Sequence, residues 1–133
     1  MTIQAIGFDL DGTLVDSGQG LADTIDAMCE QLGLPQPGKA IVTTWVGNGM
    51  EVLLDRALAW ANVTVTPEYR EKARAILVEC YQKELLSGSP LFPEVKETLE
   101  KLYAEGIQLA LITNKPSRFV PDLMNYLGIS HLF

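Results

Sequence analysis

The sequence is poor in cysteine and histidine and has no cluster of basic residues. Its two cysteines, Cys29 and Cys80, lie far apart and form no CxxC or Cys/His spacing, so no structural zinc site is expected. Both thiols are expected to be reduced and buried. The formal net charge of −7 excludes ordinary nucleic-acid binding, because Lys and Arg must neutralise the phosphate backbone.

Long hydrophobic runs are missing as well. No stretch reaches the roughly 20 apolar residues of a membrane span. The N-terminal segment "MTIQAIGFDLDG" lacks the basic region of a signal peptide. The sequence therefore predicts a cytoplasmic protein without a membrane partner. Hydrophobic residues make up 47% of the 133 residues, which is enough to build a folded core.

Two apolar runs, "IQAIGF" and "IQLALIT", predict two buried parallel strands, with an amphipathic helix from Pro93 to Gly106 before the second. The stretch between them is helical in pattern and too long for a simple crossover. The predicted fold is therefore α/β. A partial Rossmann-like parallel sheet comprises residues 1–16 and 88–133, and an inserted helical cap comprises residues 17–87.

Several residues predict where helices begin and end. Gly33 is expected to end the first cap helix, and Thr66 followed by Pro67 to begin the last one. Ser17 and Ser117 are expected to cap helices through their side chains. The helix after Ser117 is expected to end at Gly128, and the terminal "ISHLF" to lead towards a third strand.

Polar side chains follow both predicted strands. Asp9 and Asp11 follow the first, and Thr113, Asn114 and Lys115 end the second. In open α/β sheets ligands bind at the carboxyl ends of the strands, so these side chains are expected to meet. A carboxylate at Asp9 can attack phosphorus, and Asp11 can protonate the leaving oxygen and later deprotonate water.

The remaining residues of this constellation suit a phosphate. Two carboxyl groups this close favour a bound Mg²⁺, a hard cation that takes oxygen ligands. Gly12 permits a tight turn that leaves backbone N–H groups free for phosphate oxygens. Thr113 offers a hydroxyl and Lys115 a positive charge. Taken alone, "DLDGT" is also compatible with an ordinary Asp-Gly turn, and "LITN" with a strand that ends in a turn.

The segment "FDLDGTLVDS" resembles the first motif of the haloacid-dehalogenase superfamily of phosphohydrolases, and "LALITNKP" is similar to the second. "TWVGNGMEVLLDRALAWA" resembles the cap of the phosphoglycolate phosphatase subfamily. The resemblance implies hydrolysis of a small phosphorylated metabolite, foremost 2-phosphoglycolate, with Mg²⁺. The implied site residues are the nucleophile and metal ligand Asp9, the acid/base and metal ligand Asp11, the phosphate-binding Gly12, Thr13, Thr113, Asn114 and Lys115, and the cap-loop residues Gly47, Asn48 and Gly49.

The chain departs from this pattern after Phe133, before the family's third motif, which carries a lysine, and its fourth, which carries acidic metal ligands. We therefore expect a fragment of a longer enzyme. The alternatives are an inactive or non-catalytic binding module and a phosphosugar mutase of the same superfamily. An unpaired edge of the first strand predicts self-association. We expect Trp45 and Trp60 to pack between cap and core, and His131 to be non-catalytic.

Overall fold

A two-stranded parallel sheet and six α-helices make up the computed structural model, which describes residues 2–133. In the sheet, Ala5 pairs with Gln108 and Phe8 with Leu111. The elements are β1 (Ala5–Phe8), α1 (Gly18–Leu32), α2 (Lys39–Val42), α3 (Met50–Trp60), α4 (Pro67–Glu84), α5 (Val95–Ala104), β2 (Gln108–Leu111) and α6 (Val120–Tyr126), with 3₁₀ turns at Thr43–Trp45, Ser117–Phe119 and Ser130–Leu132. The predicted fold class is confirmed: helices α1 to α4 are inserted between the two strands.

The expected ends of two cap helices are confirmed. Gly33 follows α1 with φ 69°, in the left-handed region that favours glycine. At α4 the Thr66 hydroxyl accepts a hydrogen bond of 3.1 Å from the Tyr69 N–H, and Pro67 is the first helical residue. Proline fits there because its missing N–H has no partner in the first turn. The local sequence therefore determines both boundaries.

Three other boundaries differ from the sequence prediction. Helix α5 begins at Val95 instead of Pro93, because Glu94 adopts a left-handed φ of 68°. Ser17 precedes α1 without a side-chain capping hydrogen bond. Ser117 begins a 3₁₀ turn and does not cap α6. Pro121, early in α6, has no N–H to donate to the Ser117 carbonyl, so an α-helix cannot extend back to Ser117.

The prediction that both strands are buried is wrong for one face of the sheet. Ile6, Phe8 and Leu109 pack on the core, whereas Ala5, Gly7 and Ala110 are exposed. Successive residues of a strand point to opposite faces, and no other element within residues 2–133 covers the second face. The prediction for the terminal segment is also wrong, because Ser130–Leu132 forms a 3₁₀ turn instead of leading towards a third strand.

A single hydrophobic cluster runs through the cap and the sheet region, with members that are fully shielded from solvent: Leu10, Ile25, Met28, Leu54, Leu77, Leu123 and Ile129. Burial of such side chains is the main favourable term in folding. Within the described residues 2–133, no helix combines the length and apolar character needed to cross a membrane. The division into core and cap at residues 16/17 and 87/88 stays a prediction.

The two segments that join the cap to the sheet run side by side. The Asp16 N–H donates to the Pro90 carbonyl at 2.7 Å, and the Phe92 N–H donates to the Leu14 carbonyl at 3.0 Å. Next to these two hydrogen-bonded segments, Gly20 of α1 packs against Gly88, which follows α4. A Cβ added at Gly20 would lie 2.4 Å from the Gly88 carbonyl oxygen. The absence of a side chain here allows α1 and the end of α4 to meet.

Replacing Gly20 by alanine is expected to lower the free energy of unfolding by about 1–3 kcal/mol, because the added methyl group would meet backbone that has to move. Urea denaturation measures this difference. Gly18→Ala is the matched control in the same helix, since its Cβ would meet side-chain atoms and no backbone, the nearest being the end of the Thr43 side chain at 3.0 Å. Equal stabilities of the two variants would contradict the close approach.

Both cysteines are buried free thiols, as expected. Burial, aided by the nearby charge of Asp26, raises the pKa of Cys29 to about 11. The reactive thiolate is therefore scarce at neutral pH and becomes abundant only as the pH approaches this value.

Iodoacetamide is expected to label Cys29 in urea but not in the native protein at neutral pH, as read by mass spectrometry of the peptide that contains it. Native labelling should become faster as the pH rises towards 11. Labelling at the same rate with and without urea would show that the thiol is accessible and would contradict its burial.

Candidate active site

Asp9 follows β1 directly and points a carboxylate beyond the end of the strand. Its side chain is exposed, and Oδ1 accepts a 2.8 Å hydrogen bond from the N–H of Leu10. Leu10 is fully buried and so anchors this turn of the chain. One oxygen of Asp9 is therefore held by backbone, in a position set by the strand.

A tight turn after Asp9 places Asp11. The Leu10 carbonyl accepts hydrogen bonds from the N–H groups of Thr13, Leu14 and Val15, at 2.9–3.1 Å. Gly12 has φ 80°, a conformation that other residues rarely adopt, and its N–H donates to the Val15 carbonyl at 2.9 Å. The expectation of free N–H groups is therefore wrong at Gly12 and Thr13, both of which donate within the turn. Their assignment to phosphate binding stays a prediction.

The residues after β2 come to the same place, because parallel strands end at one edge of the sheet. The Thr113 hydroxyl accepts a hydrogen bond from the Lys115 N–H at 3.1 Å. The exposed Asn114 donates from Nδ2 to the Gly47 carbonyl at 2.9 Å. Gly49 also lies against Asn114, since an added Cβ would be 3.2 Å from its carbonyl oxygen. The cap loop thus rests directly on the end of β2.

Lys115 is the buried cation of the site, with a side chain only 2% exposed. Its Nζ lies 3.2 Å from Asp11 Oδ2 and donates to the hydroxyl of Tyr81. Burial lowers the pKa of Lys115, and the charge and hydrogen bond of Asp11 oppose this shift. The other oxygen of Asp11, Oδ1, is buried and has no hydrogen-bond partner within residues 2–133. The two oxygens of Asp11 therefore have different surroundings.

Tyr81, in the cap helix α4, is a site residue that the sequence reasoning missed. Its ring packs edge-on against Phe119 with 4.7 Å between centroids, and it is 5% exposed. Burial, with a smaller contribution from Asp11, raises the pKa of Tyr81 far above its usual range. The available signal was the spacing of Ala73, Leu77 and Tyr81, which places the three on one face of α4.

The cap loop contributes backbone to the site but turns one predicted side chain away. In the orientation that satisfies its amide, the Asn48 oxygen accepts hydrogen bonds of 3.0 and 3.2 Å from Arg56. Arg56 also donates to the Trp45 carbonyl at 3.1 Å. Asn48 is therefore bound to α3, and its assignment to substrate binding stays a prediction.

These side chains enclose a small cavity of about 40 Å³ between the strand ends and the cap. Of the predicted residues, Gly12, Thr13 and Asn48 do not line it, whereas the following do: Asp9, Asp11, Gly47, Gly49, Thr113, Asn114 and Lys115. The cap adds a largely apolar wall formed by Leu21, Trp45, Val46, Met50, Leu53, Leu77 and Tyr81. Two carboxylates, one ammonium, a hydroxyl and an amide thus converge under an apolar cover.

The two tryptophans lie at the cavity or next to it, whereas the histidine lies outside it. Trp45 lines the cavity, and Trp60 packs edge-on against it with 6.4 Å between centroids while remaining 40% exposed. Trp45 therefore contacts both the cavity and Trp60. His131 packs against Tyr103 outside the cavity, and its role as a non-catalytic residue stays a prediction.

The site offers some of the oxygen donors that Mg²⁺ requires. Within residues 2–133 no three His, Cys, Asp or Glu side chains cluster as a metal site. Asp9 and the backbone carbonyl of Asp11 are nevertheless oxygen donors, the type that Mg²⁺ prefers. This ion is commonly held by one or two carboxylates together with water and substrate phosphate. The residues present therefore fit part of a magnesium site.

The sequence and the fold are both similar to those of known hydrolases. The sequence profile of the haloacid dehalogenase-like hydrolases matches residues 6–133. The phosphoglycolate phosphatase of Yersinia pestis is 48% identical over 131 residues, which are 98% of this chain and 56% of that protein. The corresponding protein of Yersinia pseudotuberculosis is 47% identical over the same shares. The chain therefore spans a little over half the length of these relatives.

The fold has a counterpart among solved structures. A crystal structure of a predicted phosphoglycolate phosphatase from Haemophilus somnus 129pt superposes with a TM-score of 0.95 at 42% identity, covering 100% of this chain and 61% of that one. Because the family profile covers nearly the whole chain and the fold matches closely, the chain belongs to the haloacid dehalogenase-like hydrolases.

Proposed function

We propose that the complete protein is a Mg²⁺-dependent phosphatase that hydrolyses a small phosphomonoester, foremost 2-phosphoglycolate, through an aspartyl-phosphate on Asp9. The observation that carries the proposal is the pairing of two unlike carboxylates at one cavity. Asp9 is exposed with one oxygen held by backbone, and Asp11 is half-buried beside an ammonium. The names of the relatives support the choice of substrate.

In the first step an oxygen of Asp9 attacks phosphorus, and the bond from phosphorus to the leaving oxygen breaks. Protonated Asp11 gives its proton to that oxygen, so the alcohol leaves neutral. In the second step Asp11 takes a proton from water, whose oxygen attacks phosphorus and releases Asp9 as carboxylate. The unpartnered Oδ1 of Asp11 is the atom available for both transfers.

The other residues of the site hold the phosphate. Thr113 and Asn114 line the cavity and offer a hydroxyl and an amide to its oxygens. A bound Mg²⁺, held by Asp9 and the Asp11 carbonyl, would neutralise the phosphate charge. The predicted phosphate contact of Lys115 stays part of the proposal, although its Nζ is paired with Asp11 in this arrangement.

Substrate entry requires the cap to move from its described position. A cavity of about 40 Å³ has room for only a few water molecules. The hydrogen bond from Asn114 to Gly47 closes the site between the cap loop and β2. Closure over a bound substrate would exclude water other than the attacking molecule.

Replacing Asp9 by asparagine is expected to reduce phosphate release from 2-phosphoglycolate by at least about 10³-fold, because the amide cannot form the covalent intermediate. The assay uses the complete polypeptide that the gene encodes, obtained by following its reading frame through the codon for Phe133. Asp122→Asn, at an exposed aspartate of α6, is the matched control. Undiminished release by Asp9→Asn would exclude the mechanism, and isomerisation of a hexose phosphate without phosphate release would indicate a mutase.

Magnesium is expected to raise the melting temperature of the complete protein, because a ligand that binds only the folded state stabilises it. At 100 times the dissociation constant this gain is about 2.7 kcal/mol. Differential scanning fluorimetry of the wild type, Asp9→Asn and Asp122→Asn measures the response. Asp9→Asn should lose most of the shift and Asp122→Asn none. No shift in the wild type would favour the non-catalytic binding module.

A further inference from the structure

The Lys115 ammonium has two polar partners within residues 2–133, and both are side chains. Its Nζ lies 3.2 Å from Asp11 Oδ2 and is hydrogen-bonded to the Tyr81 hydroxyl. The same nitrogen lies 4.7 Å from the centre of the Tyr81 ring. A buried ammonium needs compensation from groups of this kind. The position of Lys115 therefore depends on Tyr81 as well as on Asp11.

The consequence for Asp11 is an asymmetric carboxylate. Oδ2 is tied to Lys115, while Oδ1 is buried and unpartnered within the described residues. Asp11 also lines the cavity that Asp9 lines. Anchoring Oδ2 restricts rotation of the carboxyl group and leaves Oδ1 as the oxygen without a competing partner. Such orientation lowers the barrier of a proton transfer.

Tyr81 is itself held rigidly. It lies on α4 one helical turn after the fully buried Leu77, and its ring packs edge-on against Phe119 from the segment after β2. Aromatic pairs of this geometry fix ring orientation. Helix α4 of the cap therefore positions the Tyr81 hydroxyl next to Lys115, whereas Asp11 and Lys115 lie in the loops that follow β1 and β2.

We propose that Tyr81 is a positioning residue for the acid/base step: through Lys115 it holds Asp11 with Oδ1 free for proton transfer. The inference rests on the proposed phosphatase function and deepens it. It assigns to the cap helix a part in the chemistry that is separate from covering the substrate. Tyr81 does not touch the phosphate and does not exchange a proton in this scheme.

The test is Tyr81→Phe in the complete protein that the gene encodes, with Tyr126→Phe as matched control. Phenylalanine keeps the ring contact with Phe119 and removes only the hydroxyl, and Tyr126 is 61% exposed on α6. The two substrates are 2-phosphoglycolate, or whichever alkyl phosphomonoester the wild type hydrolyses best, and p-nitrophenyl phosphate. The alkyl ester needs a proton on its leaving oxygen, whereas nitrophenolate departs without one.

The quantity compared is kcat/KM, which covers the steps through departure of the leaving group. Tyr81→Phe is expected to lower kcat/KM for the alkyl phosphate about tenfold and to leave that for p-nitrophenyl phosphate within about twofold. Tyr126→Phe should change neither. The ratio of the two constants in one preparation does not depend on the fraction of folded enzyme. A merely structural role would lower both constants equally and would overturn the inference, as would no loss at all.

Lys115→Met supplies the second variant if Tyr81→Phe folds poorly. Its loss of kcat/KM should be larger on the alkyl phosphate than on p-nitrophenyl phosphate, because losing a phosphate contact lowers both constants and only losing the hold on Asp11 separates them. The double variant should lose no more than Lys115→Met alone, because Tyr81 acts through Lys115. An equal loss on both substrates would assign Lys115 to phosphate binding alone and reject the arrangement. A wild type inactive on every phosphomonoester would instead refute the proposed function, a result distinct from these.

Discussion

A lysine ammonium withdrawn from water is the constraint on which the site depends. Removing such a charge from water is unfavourable unless hydrogen-bonding and charged partners replace the water. Lys115 finds them in Asp11, from the loop after β1, and in Tyr81, from α4. Satisfying this one cation therefore joins both strand ends and the last cap helix at a single point.

The same contact makes two neighbouring carboxylates unlike. Asp9 and Asp11 are separated by one residue, but Asp9 is exposed and hydrogen-bonded to backbone, whereas Asp11 is half-buried and paired with Lys115. Enzymes often use pairs of carboxyl groups in which different surroundings assign different roles. Here the fully buried Leu10 between them holds the turn that separates the two environments.

Much of the fold could be predicted because the signals are local. The apolar strands, Gly33 after α1 and the Thr66-Pro67 start of α4 follow from backbone preferences of a few residues. The prediction of element boundaries failed where an unusual backbone conformation or a distant contact determined where an element begins or ends. Glu94 adopts a left-handed conformation although it is not glycine. The apolar residues of "ISHLF" suggested the approach to a strand, but a 3₁₀ turn buries Ile129 and Leu132 equally well. The exposed sheet face was missed because strand composition does not reveal which faces are covered.

The sequence by itself determined which chemical groups lie at the ends of the two strands. Asp9, Asp11, Thr113, Asn114 and Lys115 each follow an apolar run, and parallel pairing brings those ends together. Only the tertiary structure decided how they are paired. Tyr81 is 34 residues from Lys115 along the chain, and Asn48 turns to Arg56 instead of the cavity. Such contacts depend on the packing of separate helices, since a side chain's partner across the fold leaves no periodic trace in its own segment.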